Sequence, residues 1–250
     1  MAVEPVVLAE HERGEQGDGA DAAQDQRTSN DRKHHPQDLK DVSGDVDPGK
    51  VGEEEPTRAG QLQGRLDQLI DERHLLTHPF YTKWTAGTLP KEAMQEYARQ
   101  YFAFESAFPR FLSAMHTREE RADVRQQILD NLWDEEHGEV NHAELWLRFA
   151  EGIGVDREDV KSAPRNDATQ ALVDMYTEIC REAPVAEGVA ALYAYERQVP
   201  EVAGSKIDGL KKHYAIEDER TLEFFVLHGE LDKEHSGAER EMLRSLIANA

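Results

Sequence analysis

An all-α fold is the class this sequence predicts, and three observations predict it. Apolar residues recur at helical spacing through nearly every stretch from Gln61 to the end, no stretch alternates apolar and polar residues as a half-buried strand would, and the connections are short. The first sixty residues differ in kind. They hold no Phe, Trp or Tyr, and runs such as GEQGDGADAAQDQ and DVSGDVDPGKVGEEEP cannot bury enough apolar surface to offset their ordering entropy. Residues 1–60 are expected to be a disordered acidic tail, and residues 61–250, ample for one core, a single helical domain.

The elements follow in order. Leu62, Leu66, Leu69 and Ile70 form one apolar stripe, and His78-Pro79 opens a short helical segment through Trp84. Leu89-Pro90 starts a longer helix in which Pro109 predicts a kink or break. The stretch from Arg118 reads as one helix closed by Gly152 and Gly154. Asn166 or Asp167 caps the next helix, and Pro184 occupies a first-turn position of the one after. Val199-Pro200 ends or bends that helix, and a last long helix runs from Asp218. The total is about seven helices in a bundle.

Composition excludes several function classes. A formal charge of -22 would repel a phosphate backbone, which argues against nucleic-acid binding. No apolar run approaches the length of a membrane span and the N-terminus lacks a secretory pattern, so a cytoplasmic protein is expected. The lone Cys180 rules out internal disulfides and every cysteine-based zinc or iron-sulfur motif.

His228, Asp232 and His235 stand at offsets of four and seven and so share one helical face. Glu135 and His142 are seven residues apart, read here as two turns along one helix, with Glu139 on the same face as a supporting group or alternative ligand. A lone histidine on a helix is usually a surface or satisfied core residue. Together, however, buried imidazoles and carboxylates without partners would be costly, and a shared metal satisfies them. Their nitrogen and oxygen mixture suits iron, manganese or zinc better than calcium or magnesium. A second metal needs a further carboxylate, and Glu196, in the largely apolar ALYAYERQV, is the leading candidate. Three carboxylates and three neutral imidazoles would leave two divalent ions with positive charge, favouring oxygen-derived anions.

Glu135 with His142, Glu196 in LYAYE, and His228, Asp232 and His235 closely resemble the ligand series of haem-oxygenase-like di-metal oxidases, over about residues 65 to 248. Within that superfamily the chain is most similar to the chlamydial protein associating with death domains (CADD) and its bacterial relatives, implicated in making para-aminobenzoate for folate synthesis. The resemblance implies a haem-oxygenase-like bundle, an Fe/Fe or Fe/Mn pair, dioxygen as co-substrate and a reductant. A homodimer is expected, because bundles of this fold are frequently dimers. It also implies that Tyr81 in HPFYTKW is a sacrificial tyrosine consumed as the aromatic precursor, that Lys206 in GSKID donates the amino group, and that Tyr97 and Tyr195 lie near the centre, Tyr195 relaying an electron or radical. Such a protein acts once per chain.

Other readings stay open at this level. One is a multi-turnover di-iron oxygenase acting on an external small molecule. Another is a metal-free relative, a thiaminase-type hydrolase or a cofactor-free quinone-synthesis oxidase, although Cys180 has no adjacent base to activate it. The last is a non-enzymatic helical partner-binding protein.

Overall fold

The computed structural model describes residues 57–248, and every regular element among them is helical. The sequence places the acidic tail on residues 1–60; residues 1–56 lie outside the described ones, and the first helix starts a few positions earlier than expected because the Thr57 hydroxyl caps it by accepting from the Gly60 N–H. In chain order the elements are α1 (Arg58–Asp71), a 3-10 turn (Leu75–Thr77), α2 (Pro79–Thr85), α3 (Lys91–Glu105), α4 (Phe108–Arg118), α5 (Ala122–Glu136), α6 (His142–Gly152), α7 (Arg157–Ser162), α8 (Asp167–Glu182), α9 (Val185–Glu196), α10 (Val199–Tyr214) and α11 (Glu219–Ala248).

The all-α class stands, but the segments outnumber the seven expected because prolines and one glycine divide the long stretches. Pro109 and Pro200 each fall in the first turn of a new helix, where the missing N–H costs nothing. The important division lies between Glu136 and His142. Residues 118–154, read from sequence as one helix, break at Gly138, whose φ of 88° is a left-handed conformation that glycine adopts freely. Asn141 then caps α6, its Oδ1 accepting from the Glu144 N–H at 3.0 Å. Glu135 and His142 therefore sit on two helices, one at the end of α5 and the other at the start of α6.

Two apolar clusters form the core. One gathers Trp84, Met94, Trp146, Phe149 and Phe225, and the other Phe104, Phe111, Met115, Ile128 and Tyr176. Tyr101 and Tyr195 pack against both, which places the boundary between the clusters around their rings. The 30-residue α11 packs on α6, α9 and α10, so its inward face reaches both clusters. Gly209 lets α10 approach α2 closely, since a Cβ there would lie 2.6 Å from Trp84 Cδ1. No helix among the described residues is long and apolar enough to cross a membrane.

Candidate metal centre and buried tyrosine cavity

The inward face of α11 carries His228, Asp232 and His235, all buried, and each meets groups from other helices. His228 joins Glu105 at the end of α3 and His142 at the start of α6, with one donor atom from each lying within 4.8 Å of the others. Asp232 and His235 form the second such group with Glu196, at the end of α9. Glu135 flanks the first group: its Oε2 is 2.9 Å from His142 Nδ1, at an angle that makes no hydrogen bond. All six ligands expected from sequence thus converge.

Two details differ. Glu139 is exposed in the loop after α5, because the helix that would have carried it alongside Glu135 ends three residues earlier. Glu105, absent from the sequence reading, completes the first group. Its signal was a carboxylate in the apolar stretch YFAFESAF, the same signal that singled out Glu196.

Neighbouring groups orient the imidazoles. His228 Nδ1 lies 2.7 Å from the Phe224 carbonyl oxygen, a contact that protonates Nδ1 and leaves Nε2 as the donor atom. His235 Nε2 lies 3.1 Å from Asp134 Oδ2, so its Nδ1 turns towards Asp232 Oδ1 at 3.7 Å and Glu196 Oε2 at 4.0 Å. Asn131 Nδ2 donates to Glu196 Oε1 at 3.2 Å. What remains is a set of buried atoms without hydrogen-bond partners: Glu105 Oε1, His142 Nδ1, Glu196 Oε2, Asp232 Oδ2 and His235 Nδ1. Each such atom costs about 1–3 kcal/mol when left unsatisfied, and their gathering into two three-residue groups fits two cations.

The electrostatics agree. Burial, reinforced by neighbouring carboxylates, pushes Glu105, Glu135 and Glu196 each up to about 8. Burial also holds His142 and His228 below the ordinary imidazole range, keeping them neutral and able to ligate. At His235 burial opposes the charge, but Asp232, Glu196 and Asp134 outweigh it and raise the imidazole to about 9. Metal ions would replace the protons that these groups otherwise hold.

Beside the first group lies a small cavity, with room for about 20 Å³, lined by residues that include Tyr81, Tyr97, Tyr195, Lys206 and His228. Lys206 is buried, donates to the Tyr97 hydroxyl at 2.6 Å, and points its Nζ over five aromatic rings, 5.4 Å from that of Tyr81. The hydroxyls of Tyr81 and Tyr97 are close enough to shift each other's titration, Tyr97 opposing the rise that burial imposes on Tyr81. Burial depresses the Lys206 amine to about 7 and raises the Tyr81 phenol to about 12. The four residues singled out as catalytic thus share one cavity, with a neutral phenol and an amine that readily loses its proton. A larger open depression of about 510 Å³ beside Lys211 and Lys212, on the outer side of α10, contains none of them.

The model of the TENA/THI-4/PQQC family matches residues 64–230. The chain belongs to this family. Among TENA/THI-4/PQQC relatives, the 4-aminobenzoate synthase of Chlamydia pneumoniae is 40% identical over 182 residues, covering 73% of this chain and 81% of the relative. The 4-aminobenzoate synthase of Nitrosomonas europaea is 44% identical over 184 residues, 70% and 75% of the two chains. The pyrroloquinoline-quinone synthase of Gluconobacter oxydans is more distant, at 28% over 171 residues, 66% and 70%. Identities of 38–44% to the synthase group place the chain in the CADD-like branch. A TenA homologue from Pseudomonas syringae superposes with a TM-score of 0.65 at 17% identity over 77% of this chain and 81% of its own. A Shewanella denitrificans domain with a heme oxygenase-like fold gives 0.62 at 19% identity, over 74% and 78%. These two show the fold, a haem-oxygenase-like bundle.

Proposed function

We propose that this chain is a dioxygen-dependent di-metal oxidase that makes para-aminobenzoate from its own Tyr81, with Lys206 supplying the nitrogen. One observation carries the reading: His228 belongs to a metal-type cluster and also lines the cavity that holds Tyr81 and Lys206. The synthase relatives support the same product. The volume of the cavity favours an internal substrate, since pockets for external small molecules span roughly 300–1,000 Å³ and this one has room for about a single water.

The product defines the bonds at stake. Tyr81 must lose its Cα–Cβ bond and Cβ must be oxidised to a carboxylate carbon at the expense of dioxygen, while the phenolic oxygen leaves as water and nitrogen freed from Lys206 by breaking its Cε–Nζ bond takes its place. Glu105, His142 and His228 would hold one ion and Glu196, Asp232 and His235 the other, with Glu135 beside the first; an Fe/Fe or Fe/Mn pair there supplies dioxygen activation, its electrons coming from an external reductant.

The remaining steps belong to this chain's own residues. Lys206, depressed to about 7, presents a large neutral fraction at cellular pH, so its nitrogen lone pair is available. The Tyr97 hydroxyl fixes the Nζ position. Phe80 packs edge-on at 5.2 Å against the Tyr81 ring and holds its plane, while the surrounding rings keep bulk water from the reacting atoms. Tyr195, whose hydroxyl meets that of Tyr101, borders both the cavity and the metal ligands.

Mass spectrometry of the iron- and manganese-loaded chain after exposure to dioxygen tests the reading. The peptide carrying Tyr81 should lose its aromatic side chain while para-aminobenzoate appears at no more than one molecule per chain. An intact Tyr81 alongside turnover of an added small molecule would establish an external substrate instead. In a para-aminobenzoate auxotroph the native chain should restore growth, whereas Tyr81→Phe and Lys206→Ala should not.

A further inference from the structure

Directly beneath the first metal-type group lies a layer of three rings. Each stands one helical turn from a member of that group: Tyr101 precedes Glu105 on α3, Trp146 follows His142 on α6, and Phe224 precedes His228 on α11. The rings pack against one another, Tyr101 to Trp146 at 4.2 Å, Trp146 to Phe224 at 4.8 Å and Tyr101 to Phe224 at 6.2 Å between centroids. Phe224 stacks in turn on the His228 imidazole at 4.0 Å. On its other side Tyr101 meets the ring of Tyr97 at 5.5 Å, and Tyr97 lines the same small cavity as Tyr81.

Only one member of the layer can lose an electron and a proton together. Phe224 has no ionisable hydrogen, and the Trp146 Nε1–H is committed to the Ala98 carbonyl at 2.8 Å. The Tyr101 hydroxyl meets that of Tyr195, and the Glu105 carboxyl, one helical turn further along α3, is close enough for the two groups to shift each other's titration. Tyr195 lines the same cavity, but its ring packs on Phe104 at 5.1 Å and Phe108 at 6.0 Å, whereas the Tyr101 ring meets both Trp146 in the layer and Tyr97.

We propose that Tyr101 relays oxidising equivalents between the Glu105–His142–His228 site and Tyr81. In each relay step Tyr101 gives one electron to the oxidised metal ions and its phenolic proton to the Glu105 carboxylate. It regains one electron and one proton from Tyr81, with Tyr97 standing between the two rings. Dioxygen is the ultimate oxidant. The inference rests on the self-processing reading above and moves the relay from Tyr195 to Tyr101.

The test is electron paramagnetic resonance of the full chain, loaded with iron and manganese, mixed with dioxygen and freeze-quenched. With Tyr101→3,5-difluorotyrosine, a substitution that keeps the ring and hydroxyl, the tyrosyl radical should show fluorine hyperfine splitting. The same replacement at Tyr195 should leave it unsplit. Tyr101→Phe should abolish the loss of Tyr81 while metal stoichiometry stays unchanged, a combination that a purely structural role would not give. If that variant folds poorly, the difluorotyrosine spectrum decides. A radical without fluorine splitting, no radical at all, or undiminished loss of Tyr81 in Tyr101→Phe overturns the relay. These failures differ from failure of the function itself, which would leave Tyr81 intact in the native chain.

Discussion

Lys206→Met should make the protein more stable and inactive. The amine is buried with only Glu105 opposing its loss of charge, and burial depresses it from the ordinary 10.5 to about 7. At 1.36 kcal/mol per pH unit that gap amounts to roughly 5 kcal/mol of penalty on the folded state. The unfolded chain binds the extra proton between pH 7 and 10.5, so the native chain gains stability as pH rises through that window, and the penalty is full below about pH 7. Methionine of similar length removes the penalty at every pH. It also forfeits the hydrogen bond to Tyr97 and the cation–π contacts, together worth about 2 kcal/mol. The variant should therefore be more stable by about 2–3 kcal/mol at pH 7, with the advantage lost or reversed above pH 10. Urea denaturation of the metal-free proteins at pH 6, 7, 8.5 and 10, followed by far-ultraviolet circular dichroism, measures the difference. A variant less stable than the native chain at pH 7, or a gap unchanged between pH 7 and 10, would refute the reasoning.

Other consequences are equally direct. Glu105, Glu135 and Glu196, held at about 8, make the folded metal-free chain bind more protons than the unfolded chain between roughly pH 4.5 and 8. These groups lower stability as pH rises through that window, and thermal melts with and without manganese should show a metal-induced gain that grows from pH 6 to 8. Asp134→Asn weakens the partner of His235 Nε2 and should reduce affinity for one of two bound ions by about 10–100-fold by calorimetry, with the fold retained because Asp134 is 41% exposed. Gly209→Ala would set a Cβ 2.6 Å from Trp84 and should cost about 1–3 kcal/mol in denaturant unfolding.

The sequence made the α11 half of the site legible because that helix is continuous: spacing along 228, 232 and 235 survives folding unchanged. Glu135 and His142 do meet, but not by the route that their spacing suggested. Their seven-residue separation suggested one helical face, yet a turn through Gly138 brings them together, and Asn141 with Glu144 three positions on was the capping pattern that marked the break. The apolar Trp133 two positions before Glu135 is no sign of burial either, since it is 59% exposed and stacks on His137. Glu105 escaped because its companions His142 and His228 lie on other helices, and no periodicity within α3 reports a contact made across the bundle. Its one local trace was the ladder Tyr97, Tyr101, Glu105, spaced by four on a buried helix.

Glu105 also changes what the loaded site would attract. Three carboxylates beside two divalent ions leave positive charge and suggest an anionic guest. With Glu105 the ionised carboxylates become four, Glu135, Glu196 and Asp232 being the others, and their charges balance two divalent ions. The neighbouring buried Glu239, pushed well above the usual carboxylate range by burial and by Glu196, keeps its proton. A neutral centre facing an apolar cavity gives no electrostatic return for desolvating a carboxylate substrate. It does suit the uncharged reactants of the proposed reading, a phenol raised to about 12 at Tyr81 and an amine depressed to about 7 at Lys206. Volume and charge therefore argue independently against an amino-acid or fatty-acid substrate entering from solution. A substrate attached to the backbone, as proposed for Tyr81, would avoid the entry cost altogether, because folding already places the Tyr81 ring in the cavity that His228 also lines.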